Sequence, residues 1–176
     1  MQCRKDALHR DIHEGYRTPS WLSYLIYSLS YTIGTIWLAA HGVRPFTPPW
    51  ITLNQDLYYL VETFYAAPLV FLMWILAAGL SRTLGRLFGG NGSFENAFRM
   101  MGYSLWAPWY PLIVVDFLPG VPGWLYNAVL AVCLTFLVFQ NTVVVRAEEG
   151  LGWVKSTVVS VLSIGAIGII LFTYIR

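Results

Sequence analysis

Between Val121 and Val145 the chain runs for twenty-five residues without a charged side chain. A run of that length and polarity is what carries a helix across the roughly 30 Å hydrocarbon core of a bilayer. Four further apolar stretches accompany it, from Trp21 to Ala40, Leu57 to Leu80, Met100 to Leu118 and Val154 to Ile175. Each is bounded by a charge, glycine or proline cluster that the hydrocarbon core would reject. The composition agrees: 57% of the 176 residues are hydrophobic and 11% charged, where a soluble domain carries about 25% charged residues. The two cysteines, Cys3 and Cys133, are too far apart to frame a disulfide-stapled fold. No length remains for a separate soluble domain.

Backbone groups left unpaired in lipid cost several kcal/mol each, so such segments are helices or closed barrels. A membrane strand needs only about ten residues of alternating polarity. These runs are longer and apolar on every face. The expected fold is therefore all-α: a polytopic bundle of five transmembrane helices spanning about 21–40, 57–80, 100–118, 121–145 and 154–175. Residues 1–20 form a cytoplasmic segment with a short interfacial helix, and residues 21–176 the membrane domain. The first twenty residues alternate charges and lack the apolar run and cleavage site of a secretory signal.

Lys and Arg positions set the orientation. With the N-terminus cytoplasmic and the C-terminus outside, nine of the eleven basic residues lie inside: Arg4, Lys5, Arg10, Arg17, Arg82, Arg86, Arg99, Arg146 and Lys155. Only Arg44 and Arg176 lie outside. Trp21, Trp50, Trp124 and Trp153 fall at span edges, where an indole keeps its ring in the apolar zone and its N–H in the wet one. The net charge of +2 is too small, and its basic residues too dispersed, to suggest nucleic acid. The lipid bilayer is the first partner.

The longest cytoplasmic connection is SRTLGRLFGGNGSFENAFR. Arg82 and Arg86 are placed there to meet anionic lipid, Leu84, Leu87 and Phe88 to dip into the interface, and Gly90 and Gly92 to reverse the chain. Ser93 is the expected N-cap of the next helix, with Glu95 in its first turn. With Arg99 these residues make a cytoplasmic contact loop for a protein partner. Pro119-Gly120 is short enough to make the third and fourth spans an antiparallel hairpin.

The run Gly89-Gly90-Asn91-Gly92-Ser93-Phe94, followed by Gly102-Tyr103-Ser104-Leu105 and Pro108, resembles the Yip-domain family of Ypt/Rab-interacting membrane proteins. Pro68 matches a further proline of that pattern, in the preceding span. The resemblance covers about residues 20 to 176 and implies five spans with a cytoplasmic N-terminus. It also implies a role in membrane organisation or vesicle traffic, since eukaryotic members bind Rab-type GTPases and other membrane partners. The short N-terminal region and compact layout are closer to the small prokaryotic members.

Glu62, five residues into the second span and roughly 7 to 8 Å along the helix axis, is the acid most at odds with its surroundings. A carboxylate at that depth must be protonated, paired or facing water. Tyr58, Tyr59 and Tyr65 lie within a turn of it on a similar face, and the assumed topology brings Asn127, Asp116 and His41 to the same end. Together they would form an outward-facing polar pocket for a proton, a cation or a lipid headgroup; a snorkelling or tyrosine-bonded Glu62 is the plainer alternative. Pro68, Pro108 and Pro111 each deprive the carbonyl one turn back of its helical partner, which makes a hinge or simply a bend. Gln140 and Asn141, near the inner end of the fourth span, read as bonds between helices or as an inner gate. Ser156, Ser160, Ser163, Gly165 and Gly168 give the fifth span a small side, for packing or for a homo-oligomer contact.

His9 and His13 share a helix face near Cys3, Asp11 and Glu14, but lack a second firm ligand pair. No metal and no other cofactor is expected. The chain carries no HExxH, no paired-aspartate motif and no Ser/His/Asp set within its spans. Glu148-Glu149 resembles the start of a membrane-protease glutamate motif, with Trp153 standing where an arginine would be wanted. The expectation is a non-catalytic membrane scaffold or adaptor; the alternative is a small transporter, channel or lipid-moving protein built around Glu62.

Overall fold

A computed structural model describes residues 19–43, 55–104, 108, 110–117 and 121–175. Six α-helices occupy them: α1 (Pro19–Ala40), α2 (Tyr58–Leu87), α3 (Phe94–Ser104), α4 (Tyr110–Phe117), α5 (Gly123–Glu149) and α6 (Trp153–Ile175). A 3-10 turn, Gln55–Leu57, leads into α2. No strand occurs among the described residues. The proposed interfacial helix of residues 1–20 lies almost wholly outside them, as does Trp50.

Helix ends follow local chemistry. Pro19 opens α1 where its missing N–H costs nothing. Gly42, at a φ of 64°, turns the chain out of α1 while the Val43 N–H reaches back to the Leu38 carbonyl at 3.1 Å. Gly150 ends α5 in the same left-handed conformation, with a φ of 65°. Ser93 caps α3 as expected, its Oγ accepting from the Asn96 N–H at 3.2 Å.

Two expected spans need comment. The second does not stop at Ser81-Arg82 but continues through Leu87. The helix tolerates Arg82 because that charge meets a carboxylate from α5. Of the third, the structure describes two helical pieces, α3 as far as Ser104 and α4 from Tyr110, and residues 105–107 and 109 between them lie outside the described ones. Pro108 is buried between them, and Pro111 sits in the first turn of α4, where a proline breaks no helical hydrogen bond. At about 1.5 Å per residue neither half crosses a bilayer alone. Among the described residues three helices are long and apolar enough to cross by themselves: α2, α5 and α6. Tyrosine, serine and threonine dilute the apolar character of α1.

The outer surface is strongly apolar, and the apolar interior also holds polar side chains. Ser28, Thr35, Glu62, Ser81, Asn141, Thr142, Glu149, Ser156, Ser160 and Ser163 are buried, whereas Leu22, Leu25, Ile26, Leu29, Ile33, Ile36 and Trp37 line the outer side of α1. Water would disfavour an outer face this apolar; lipid does not. The central helix is α2, which packs against α1, α3, α5 and α6. Its buried face fills the middle of the molecule with Met73, Trp74, Ala77 and Ala78, joined by Met101, Val145 and Val159. Trp74 is wholly buried, stacks on Phe98 with ring centroids 4.1 Å apart, and donates from Nε1 to the Phe98 carbonyl at 2.6 Å.

Candidate functional site

The most constructed site is where α2 ends, α3 begins and α5 ends. The Arg82 Nη1 donates to Glu149 Oε2 at 2.7 Å, with the side chains 11% and 2% exposed. The Gly92 N–H donates to the same oxygen at 3.0 Å, and the Asn91 N–H to the Glu149 backbone carbonyl at 3.3 Å. One acid thus holds the glycine turn through both its side chain and its main chain.

The glycines exist to let that carboxylate in. A Cβ on Gly85 would stand 2.7 Å from Glu149 Cδ, and one on Gly92 2.9 Å from the same carbon and 2.8 Å from the Glu148 carbonyl. One on Gly90 would overlap Glu149 Oε2 and lie 2.9 Å from the Gly85 carbonyl. Gly89 has a φ of 90°, a conformation an L-residue rarely adopts. These contacts explain the spacing of the turn, which the sequence presents only as flexibility.

Arg82 is therefore not a lipid-facing cation. Its charge is neutralised inside the bundle, and the structure corrects the expectation to that extent. Arg86 is exposed in the last turn of α2, Ser93 caps α3, and Arg99 is exposed and pairs with Glu95 one turn back on α3. Lys155 donates to the Phe88 carbonyl at 3.1 Å, tying the start of α6 to the end of α2. The Arg146 guanidinium lies 4.3 Å over the Trp153 ring.

Towards the opposite end, Glu62 is buried and accepts from the Tyr31 hydroxyl at 2.7 Å. Tyr58 and Tyr65 interact with it electrostatically and hydrogen-bond each other. Thr35 and Thr63 meet at 3.0 Å one turn away, and Tyr24 donates to the Ala67 carbonyl at 3.0 Å. These hydroxyl contacts form the polar seam between α1 and α2. Asn127 does not join it: the residue is exposed on α5. His41 is exposed at the end of α1, its Nδ1 2.8 Å from the Trp37 carbonyl. Asp116 lies in α4, with its side chain outside the described residues. Pro68 is exposed on a continuous α2.

The sequence reading missed Tyr31 as the partner of Glu62 and Glu149 as the partner of Arg82. Asn141 does bond across helices, donating to Ser81 Oγ at 3.4 Å. Ser156, Ser160 and Ser163 are buried within the chain, while Gly165 and Gly168 are exposed with open space beside them. Among the described residues no group of three His, Cys, Asp or Glu stands close enough to hold a metal; His9, His13 and Cys3 lie outside them.

The Yip1 domain matches residues 5–175, nearly the whole chain. The protein belongs to the Yip1 domain family. No curated protein and no solved structure matches it. In this Yip1 domain protein the glycine run that carried the resemblance is the turn that encloses Glu149.

Proposed function

We propose that this Yip1 domain protein is a non-catalytic membrane scaffold or adaptor in membrane organisation or trafficking. It crosses the bilayer five times, with the N-terminus cytoplasmic and the C-terminus outside. The outward apolar face of α1 supports a crossing there, and α3 with α4 together supply the third. The glycine turn and the start of α3 are the surface offered to a protein partner. The observation that carries this reading is the Glu149 clamp. It fixes a short polar turn in one conformation at a helix junction, which lowers the ordering cost of recognition.

Photo-cross-linking residues at Asn91 and Phe94 test it, both exposed beside the turn. In native membranes they should trap a discrete protein that a lipid-facing control at Val132, also exposed, does not. Lipid adducts alone at all three positions would remove the adaptor reading.

The transporter alternative draws on Glu62 and its tyrosines. Against it stands the filled interior along α2, where Met73, Trp74, Ala77 and Ala78 are buried between Glu62 and the glycine turn. No flux through liposomes is expected from the wild type or from Glu62→Gln.

A further inference from the structure

The glycine-turn end of the bundle carries more positive charge than its acids neutralise. Of those acids, Glu149 is taken by Arg82 and Glu95 by Arg99, and Glu148 is half-buried with an interaction of its own. Arg86, Arg146 and Lys155 remain exposed, and none has a carboxylate within ion-pair distance among the described residues. The Lys155 bond to Phe88 brings the cation on α6 against the end of α2 that bears Arg86. The Arg146 guanidinium lies over Trp153, which stands in the same first turn of α6 as Lys155. The same end of the bundle exposes large apolar side chains: Leu87 is 77% exposed, Val154 79% and Trp153 49%.

Helix length locates this rim. The 30 residues of α2 extend about 45 Å at 1.5 Å per residue, well beyond the roughly 30 Å core. That surplus lets its last turns, with Arg86 and Leu87, reach the level of the headgroups. A side chain such as Leu87 or Trp153 can enter the acyl boundary there while a neighbouring guanidinium or ammonium meets phosphate.

We infer that Arg86, Arg146 and Lys155, with Trp153 and Leu87, form a binding rim for anionic phospholipid headgroups, separate from the turn offered to protein. Three unneutralised cations beside apolar anchors complement a leaflet that is negative at its surface and apolar beneath. Arg82, although nearby in sequence, takes no part because Glu149 holds it. Under the orientation proposed above, the rim faces the cytoplasmic leaflet, the side that carries anionic lipid.

The test uses the full chain in phosphatidylcholine vesicles with spin-labelled phosphatidylglycerol or phosphatidylcholine, reading the fraction of each lipid immobilised by the protein. The assay reports the rim whichever way the chain inserts, so its failure is distinguishable from failure of the adaptor reading. Wild type should favour phosphatidylglycerol, and Arg86→Gln/Arg146→Gln/Lys155→Gln should lose that preference by at least about five-fold, the factor one surface cation contributes at a membrane. Arg99→Gln, whose cation is already paired on α3, should keep most of it. Arg86→Gln alone, at a side chain that holds nothing else, should lower the preference with folding intact. Equal immobilisation of the two lipids by wild type would overturn the inference. So would unchanged selectivity in the folded triple variant or in Arg86→Gln, or binding of an acidic peptide without lipid selectivity.

Discussion

Replacing Arg82 by methionine separates the structure from the sequence-based expectation more sharply than any other single change. Methionine keeps most of the unbranched stem and removes the charge. The Glu149 side chain, only 2% exposed, would retain the Gly92 N–H as its sole donor and lose its counter-ion. Breaking a buried pair in this way costs about 3–5 kcal/mol. The pair lies near the end of α2 and one backbone donor remains, so about 3 kcal/mol is expected here. Glu149→Gln should cost less, about 1–2 kcal/mol, because the long arginine stem can turn its head towards the headgroups. The Arg82→Met/Glu149→Gln double variant should be more stable than Arg82→Met alone, since no unpaired charge stays buried. Equilibrium unfolding in mixed micelles, followed by tryptophan fluorescence, gives all three values. An Arg82→Met variant within about 0.5 kcal/mol of wild type would refute the argument, because that is how an exposed cation behaves.

The glycine cradle predicts a characteristic non-additivity. Gly85→Ala should cost about 1–3 kcal/mol through overpacking, and lose most of that cost in a Glu149→Ala background, because the three atoms nearest the added methyl all belong to Glu149. Gly90→Ala should stay costly in that background, since the Gly85 carbonyl also stands 2.9 Å away. Tyr31→Phe should cost about 1–3 kcal/mol by removing a donor from buried Glu62, whereas Glu62→Gln keeps an acceptor for Tyr31 and should unfold close to wild type. Trp74→Ala should cost about 3–5 kcal/mol, and Trp74→Phe, which loses chiefly the bond to the Phe98 carbonyl, about 1 kcal/mol. The same unfolding assay measures each.

Helices were legible because their signals are local. The apolar runs of α1, α5 and α6, the proline at the start of α1 and the serine before α3 are all readable within a few residues. The junction of α3 and α4 was readable only in part. Pro108 and Pro111 announce a local change of course, and most of the residues around Pro108 lie outside the described ones. What escaped were pairs distant in sequence. Arg82 and Glu149 are 67 residues apart, and Tyr31 and Glu62 are 31 apart. Counting basic residues at span ends treats each as a solvated charge, so Arg82 was assigned to lipid. The signal that corrects this is the scarcity of acids: an acid four residues past a charge-free span, in a chain with glycines at 85, 90 and 92, needs both a cation and space.

Glu62 drew attention because it stands inside a span, yet the two buried acids do the same work at different depths. On α2, Glu62 is joined to α1 through Tyr31, and Arg82 to α5 through Glu149. In lipid the hydrophobic effect does not drive one helix onto another, so specificity must come from close packing and from the few polar contacts available. This chain spends its buried charges on tying its central helix to two neighbours. A transport path would need such groups free to exchange partners, and would be weakened when they are locked. A scaffold needs the reverse, a bundle whose exposed turn is held still. The cost of losing Arg82 therefore measures both stability and how firmly the proposed contact surface is held.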